Sequence, residues 1–192
     1  MRIIAGAAGS LRLQVPRSLT RPTTDRVREA VFSSLGDRVH GARVLDLFAG
    51  SGALGIEALS RGAAEAVFVD SSREAERAIR ENLRRADLGP AHVHREEVRP
   101  FLRRRAADGG EERRFSLLIA DPPYAKSDEE LAALSELLND ENLAARAEGD
   151  ALFVLETLAD RPLPESPLWE TIREKTYGRT RVSYLAPRPP SA

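Results

Sequence analysis

The residues best suited to chemistry are Asp121-Pro122-Pro123-Tyr124, which close an apolar run that begins at Phe115. Two consecutive prolines remove two backbone donors and hold two φ angles at about −65°, so the chain there can neither extend a strand nor begin an ordinary helix. What is left is a stiff corner presenting one carboxylate, one carbonyl and one flat ring. Such a corner suits an exocyclic amine on a planar base. The Asp121 carboxylate and the Pro122 carbonyl would accept its two N–H hydrogens, Pro123 would stiffen the frame, and Tyr124 would stack on the ring. Accepting both hydrogens turns the nitrogen lone pair, otherwise delocalised into the ring, toward an electrophile as positive charge develops. Without context, the same four residues also read as a strand-ending turn.

A second constellation lies upstream. Leu45-Asp46-Leu47-Phe48-Ala49-Gly50-Ser51-Gly52-Ala53-Leu54-Gly55 carries glycines at 50, 52 and 55, and Asp70 follows Gly50 by 20 residues. This G-x-G-x-x-G pattern fits a ligand drawn against backbone at a strand-to-helix turn. Asp46 separates the candidate ligands. A carboxylate four positions before the first glycine repels a pyrophosphate but favours a ligand carrying ammonium and sulfonium charges, which describes S-adenosylmethionine. Asp70 would then accept hydrogen bonds from the ribose hydroxyls. A nicotinamide dinucleotide, or a tight turn that holds no ligand, are the other readings of this loop. With the amine-gripping corner downstream, the pair points to methyl transfer, where positioning a nitrogen against an activated methyl group is most of the task.

The elements that must position these groups alternate. Strands are expected over Arg43–Phe48, Glu65–Asp70, Ala91–Arg95, Phe115–Asp121 and Ala151–Thr157. Helices are expected over Leu54–Arg61, Arg73–Ala86, Val98–Ala107 and Asp128–Asn142. That order implies right-handed crossovers and a mostly parallel sheet covered by helices, a Rossmann-like α/β fold. Glu170–Tyr177 and Arg179–Ala186, separated at Gly178, read instead as a terminal antiparallel hairpin on the sheet edge. Before the alternation, Arg2–Gly6 and Leu11–Pro16 read as two short strands around a turn. Thr23 or Thr24 then caps a helix whose apolar face is Val27, Val31 and Leu35. One domain is expected over 1–192, with an extension at 1–40, a core at 41–186 and a tail at 187–192. Arg103–Arg114 reads as a solvated loop, and Trp169 as packing or a hairpin lid rather than a base-stacking platform.

Composition narrows the partners. The chain has 192 residues, a net charge of −1 and no cysteine, which excludes a disulfide framework and a thiolate metal site and suits a reducing cytoplasm. No apolar run approaches the roughly 20 residues that cross a bilayer. His40, His92 and His94 are the only histidines, and no third ligand lies beside the last two, so no metal site is expected. Residues 1–40 hold seven arginines against three acids, a local excess in a chain that is otherwise nearly neutral. Arg2, Arg12, Arg17 and Arg21 are candidates for phosphate contact, and Arg26 and Arg28 for the catalytic mouth.

With these residues in place, the chain resembles the bacterial RsmD-type methyltransferases. The resemblance is carried by Arg2-Ile3-Ile4-Ala5-Gly6, by Arg21-Pro22-Thr23-Thr24-Asp25-Arg26-Val27-Arg28-Glu29-Ala30-Val31-Phe32, by Val44 to Leu59, by Asp121–Tyr124, and by Lys175-Thr176-Tyr177-Gly178. It implies a seven-stranded sheet of the class I S-adenosylmethionine-dependent type with a reversed hairpin at its end. It implies methylation of the N2 amine of one guanine in 16S ribosomal RNA, a largely assembled small ribosomal subunit as partner, and a monomer. By position, Asp46, Phe48, Ala49, Gly50, Ser51 and Gly52 would line the methionine end, Asp70 and Ser71 the ribose, and Glu97-Val98 the adenine. Thr23 would join the arginines that meet RNA. The chain departs from relatives at Glu97-Val98, where Asp-Ala is commoner, and at Gly6-Ala7-Ala8-Gly9-Ser10-Leu11, where basic residues are usual. An adenine-N6 DNA methyltransferase, a nicotinamide-dependent oxidoreductase and a ribosome-assembly protein without catalysis are the competing functions.

Overall fold

Apolar runs flanked by helical segments fold as the alternation requires. The computed structural model describes residues 1–16, 24–104, 114–122 and 127–189. Pro123, Tyr124, Arg17, Arg21, Thr23 and most of the expected loop after Arg103 therefore lie outside the described residues. The chain divides into two compact units, Met1–Val98 and Arg99–Ala192. Seven strands form one mixed sheet, to which the first unit contributes β3-β2-β1 and the second β4-β5-β7-β6 in spatial order. Among the described residues, no helix is long and apolar enough to cross a membrane.

In the first unit, β1 (Arg43–Leu47), β2 (Glu65–Asp70) and β3 (Ala91–Arg95) pair in parallel. Arg43 stands opposite Glu65 and reaches its carboxylate at 2.9 Å. Strands buried on both faces are largely apolar, as Val44, Leu45, Leu47, Val67, Phe68 and Val69 are, with Asp46 the buried polar exception in β1. The helices that cover them differ in kind. All of α2 (Ala53–Ser60) is buried, while α3 (Arg73–Ala86) buries one stripe, Ala75, Ala78, Ile79 and Asn82. Thr24 caps α1 (Asp25–Leu35) by accepting from the Val27 N–H at 3.3 Å.

The N-terminal hairpin is present as an isolated bridge, Arg2 to Arg12, with backbone N–H bonds from Ile3 to Leu11, Ser10 to Ile3 and Leu13 to Met1, rather than as two strands. The reason lies in where its backbone donors go. Ile4 and Ala5 N–H groups donate to the Glu57 carboxylate at 2.7 and 3.1 Å, and Ala7 and Ala8 N–H groups to the backbone and side chain of Ser60 at 2.7 and 2.9 Å. Donors spent on α2 cannot build a ladder.

In the second unit, α4 (Val98–Arg103), which starts at the last residue of the first unit, leads toward β4 (Phe115–Ala120). β4 pairs in parallel with β5 (Ala147–Leu158), which pairs antiparallel with β7 (Thr180–Pro187). β6 (Trp169–Tyr177) pairs with β7 on its other side, so the terminal hairpin folds back as expected. The helix expected over 128–142 is two, α5 (Asp128–Leu138) and α6 (Glu141–Ala145). Asp140 makes the break: its backbone is extended and its carboxylate caps the new helix from the Asn142 N–H at 2.8 Å. Trp169 is 3% exposed and packs on Phe153 with ring centroids 5.1 Å apart, a core contact.

Candidate active site

The glycine loop is shaped by backbone conformations that few residues accept. After β1 the chain passes through Phe48 with φ 56°, Gly50 with φ 56° and Gly52 with φ 74°. A left-handed phenylalanine costs roughly 1–2 kcal/mol, strain of the kind concentrated at functional sites. Gly52 is the N-cap of α2 and has no side chain to offer the first turn. Asp46 supplies what is missing: its Oδ2 accepts from the Gly55 N–H at 2.9 Å. Asp46 is therefore a remote helix cap, buried to 1% exposure.

Burial pushes the Asp46 carboxyl up to about 8; the Gly55 N–H opposes the rise, and the charge of Asp70 adds to it. The folded chain thus holds this proton more tightly than the unfolded chain, whose carboxyl titrates near its ordinary value of 3.8. Asp46 accordingly contributes a stability that falls as pH rises from about 4 to about 8. Asp46→Asn keeps an oxygen for Gly55 and removes the titration. Chemical denaturation at pH 5 and pH 8 should show a smaller decline for this variant than for the wild type. Parallel declines would show that the carboxyl does not titrate in that window.

Gly55 is required by close approach. A Cβ there would meet Phe68 Cε1 at 2.3 Å, Phe68 Cζ at 2.8 Å and Asp46 Oδ2 at 3.0 Å. Gly55→Ala should cost about 1–3 kcal/mol in denaturant unfolding, the range for overpacking a tight interior. A loss below half a kilocalorie would mean that Phe68 has room to move.

Asp70 ends β2 and is anchored on both oxygens. Oδ2 accepts from the Gly50 N–H and Oδ1 from the Ser72 N–H, each at 2.8 Å. The structure thus brings Asp70 and the first loop glycine together. Each carboxylate oxygen retains a further lone pair after these bonds. Ser71 beside it is exposed, while Ser72 caps α3. After β3, Glu97 is exposed and Val98 is buried at the start of α4. Phe48 and Ala49 are half-buried, and Gly50, Ser51 and Gly52 are buried.

In the second unit, Asp121 and Pro122 directly follow β4, both half-exposed, at the C-terminal end of a strand in a parallel pair. A groove of about 1070 Å³ in this unit, lined by Pro162, Leu163, Pro164, Trp169 and Arg181 among others, contains none of the expected site residues.

The arginines divide. Arg2, Arg12 and Arg26 are exposed. Arg28 is not: its side chain has no exposure, and it donates to the Arg2 carbonyl and to Asp25 and lies 3.7 Å from Glu57. That corrects the expectation that Arg28 reaches the catalytic mouth and meets RNA, because its charge is spent inside the protein. Sequence reasoning missed the groups that hold the N-terminal segment, namely Glu57, Ser60 and Asn82. The available signal was a polar residue on an otherwise apolar helix face, as in Ala75, Ala78, Ile79, Asn82.

Known proteins share this arrangement over nearly the whole chain. The family profile described as "Conserved hypothetical protein 95" matches residues 1–186. Ribosomal RNA small subunit methyltransferase D of Escherichia coli (strain K12) is 36% identical over 181 residues, spanning 93% of this chain and 86% of that protein. The YlbH protein of Bacillus subtilis (strain 168) is 38% identical over 192 residues, spanning 98% and 100%. The solved structure of yhhF from Escherichia coli superposes with a TM-score of 0.80 at 34% identity, covering 97% of each chain. With a profile match over residues 1–186 and relatives above one-third identity over more than nine-tenths of the chain, the chain belongs to the conserved hypothetical protein 95 family, the RsmD type.

Proposed function

We propose that this protein is an S-adenosylmethionine-dependent ribosomal RNA methyltransferase that modifies the N2 amine of a guanine in 16S RNA of the small ribosomal subunit. The observation that carries the reading is 36% identity across 93% of the chain to a protein named ribosomal RNA small subunit methyltransferase D. The intact Asp121-Pro122-Pro123-Tyr124 after β4 supports it.

The residues present fit the cofactor. Asp70 is pinned by two backbone N–H groups yet keeps lone pairs for ribose hydroxyls. Gly50 and Gly52 offer backbone without side chains, with Phe48, Ala49 and Ser51 completing the methionine end. Ser71, Glu97 and Val98 are assigned to the nucleoside end. Asp46 fits less directly, since it is buried and holds its proton up to about pH 8, but a cation nearby would favour its charged form. When bound, S-adenosylmethionine supplies a methyl group already activated by a sulfonium.

The remaining work falls to the chain. Asp121 and the Pro122 carbonyl accept the two amine hydrogens, directing the nitrogen lone pair and stabilising the positive charge that grows on it. Pro123 limits movement of that carbonyl, and Tyr124 holds the base by stacking. Arg2, Arg12 and Arg26, with Arg17, Arg21 and Thr23, meet phosphates and fix register without reading sequence. The protein acts as a monomer and needs no metal.

Incubation with labelled S-adenosylmethionine tests the reading. Label should enter a guanine of 16S RNA in small subunits and not duplex DNA. Label in adenine of DNA, or none in RNA, would overturn it.

A further inference from the structure

Asn82 is fully buried on α3, and its neighbours on that face are Ala75, Ala78 and Ile79. An amide in such surroundings costs stability unless its polar atoms are paired. Here both sides of the amide are used. Oδ1 accepts from the Gln14 N–H at 2.7 Å, and Nδ2 donates to the Gln14 carbonyl at 2.9 Å. Nδ2 also donates to the Ser51 carbonyl at 2.9 Å. The first two bonds imitate one rung of a β-ladder, so the amide stands in for a strand that the N-terminal segment lacks.

The two backbones joined have different work. Ser51 sits between the loop glycines assigned to the cofactor. Gln14 lies two residues after the exposed Arg12, assigned to RNA. A second thread runs the same way, from the Ser51 hydroxyl to Met1 Sδ at 3.3 Å. Because the amide is planar, a shift of Gln14 is passed to the Ser51 carbonyl as a rotation of one rigid group. Coupling between two sites needs a physical element that both ligands bias, and one side chain bonded to both backbones is such an element.

We propose that Asn82 is a positioning residue that couples RNA engagement by the N-terminal segment to the conformation of the cofactor loop, so that RNA and cofactor bind with positive cooperativity. This rests on the RNA methyltransferase reading above. RNA that steadies Gln14 leaves less of the loop to be ordered by the cofactor, and linkage makes the effect reciprocal.

Equilibrium dialysis of S-adenosylhomocysteine, with and without saturating small ribosomal subunits, reads the coupling. In the wild type, affinity should rise on the order of 5–10-fold with the subunit present. Asn82→Asp preserves size and the acceptor for Gln14 but turns a repelling oxygen toward two carbonyls. Its ratio should fall to about 1, with raised KM for RNA and cofactor and a smaller change in kcat. A purely structural Asn82 would lower the melting temperature and leave the ratio intact, and an unchanged ratio in Asn82→Asp overturns the proposal. If Asn82→Asp does not fold, Gln14→Pro removes the Gln14 N–H that donates to Oδ1, at an exposed position, and its ratio is read in the same way. A wild-type ratio of 1 in protein that methylates RNA refutes the coupling alone, whereas absence of RNA methylation removes both readings.

Discussion

Asp121→Ala should bind S-adenosylmethionine within a few-fold of the wild type and transfer its methyl group about 10²–10³-fold more slowly. The magnitude is that of removing one group aimed at charge which develops only in the transition state. Asp121 is half-exposed at the end of β4, outside the buried interior of its unit, so the change should leave folding largely intact. The groups proposed to hold the cofactor, Gly50 and Asp70, lie on other segments of the chain. The variant therefore separates binding from chemistry: dialysis reports the first and label incorporated into 16S RNA the second. A fall in kcat at unchanged cofactor affinity is the expected pattern, because an interaction made only in the transition state was removed. Undiminished turnover would mean that the amine is held by other groups and that the corner after β4 is only a turn.

Glu57→Ala should unfold the first unit more readily than any surface change. Glu57 is fully buried and accepts from the Ile4 and Ala5 N–H groups at 2.7 and 3.1 Å and from Arg61 Nε at 2.7 Å. Arg28 Nε lies 3.7 Å away and is equally buried. Removing the carboxylate leaves a buried guanidinium short of charge and two backbone donors unpaired. Breaking one side of a buried pair costs about 3–5 kcal/mol. For a chain of this length that corresponds to a fall of roughly 10 °C in Tm. Pairing the variant with Arg28→Met should restore part of the loss, since an apolar pair carries no unmatched charge. A single-variant loss below 1 kcal/mol would mean that water or another acid replaces Glu57.

Much of the fold was legible because the relevant physics is local. β2, α3 and β3 fall where the alternation of apolar strands and helical segments places them, at Glu65–Asp70, Arg73–Ala86 and Ala91–Arg95. The glycine loop was legible for the same reason, since positive φ at Gly50 and Gly52 is a property of single residues. The boundary of α5 was not, because Asp140 competes for the backbone only once the chain has turned there.

By itself the sequence determined the order of strands and helices, the loop that follows β1, and the place of Asp121 and Pro122 directly after β4. The tertiary structure alone decided what the buried polar groups do: Asp46 caps α2, Arg28 turns inward to Glu57, and Asn82 clasps Gln14 and Ser51. The division has a physical cause. Periodicity and turn chemistry act between neighbours in the chain, whereas a hydrogen-bonding group withdrawn from water takes whichever partner the folded chain brings within about 3 Å. Partners such as Gln14 and Asn82 are distant in sequence, and only packing sets them face to face.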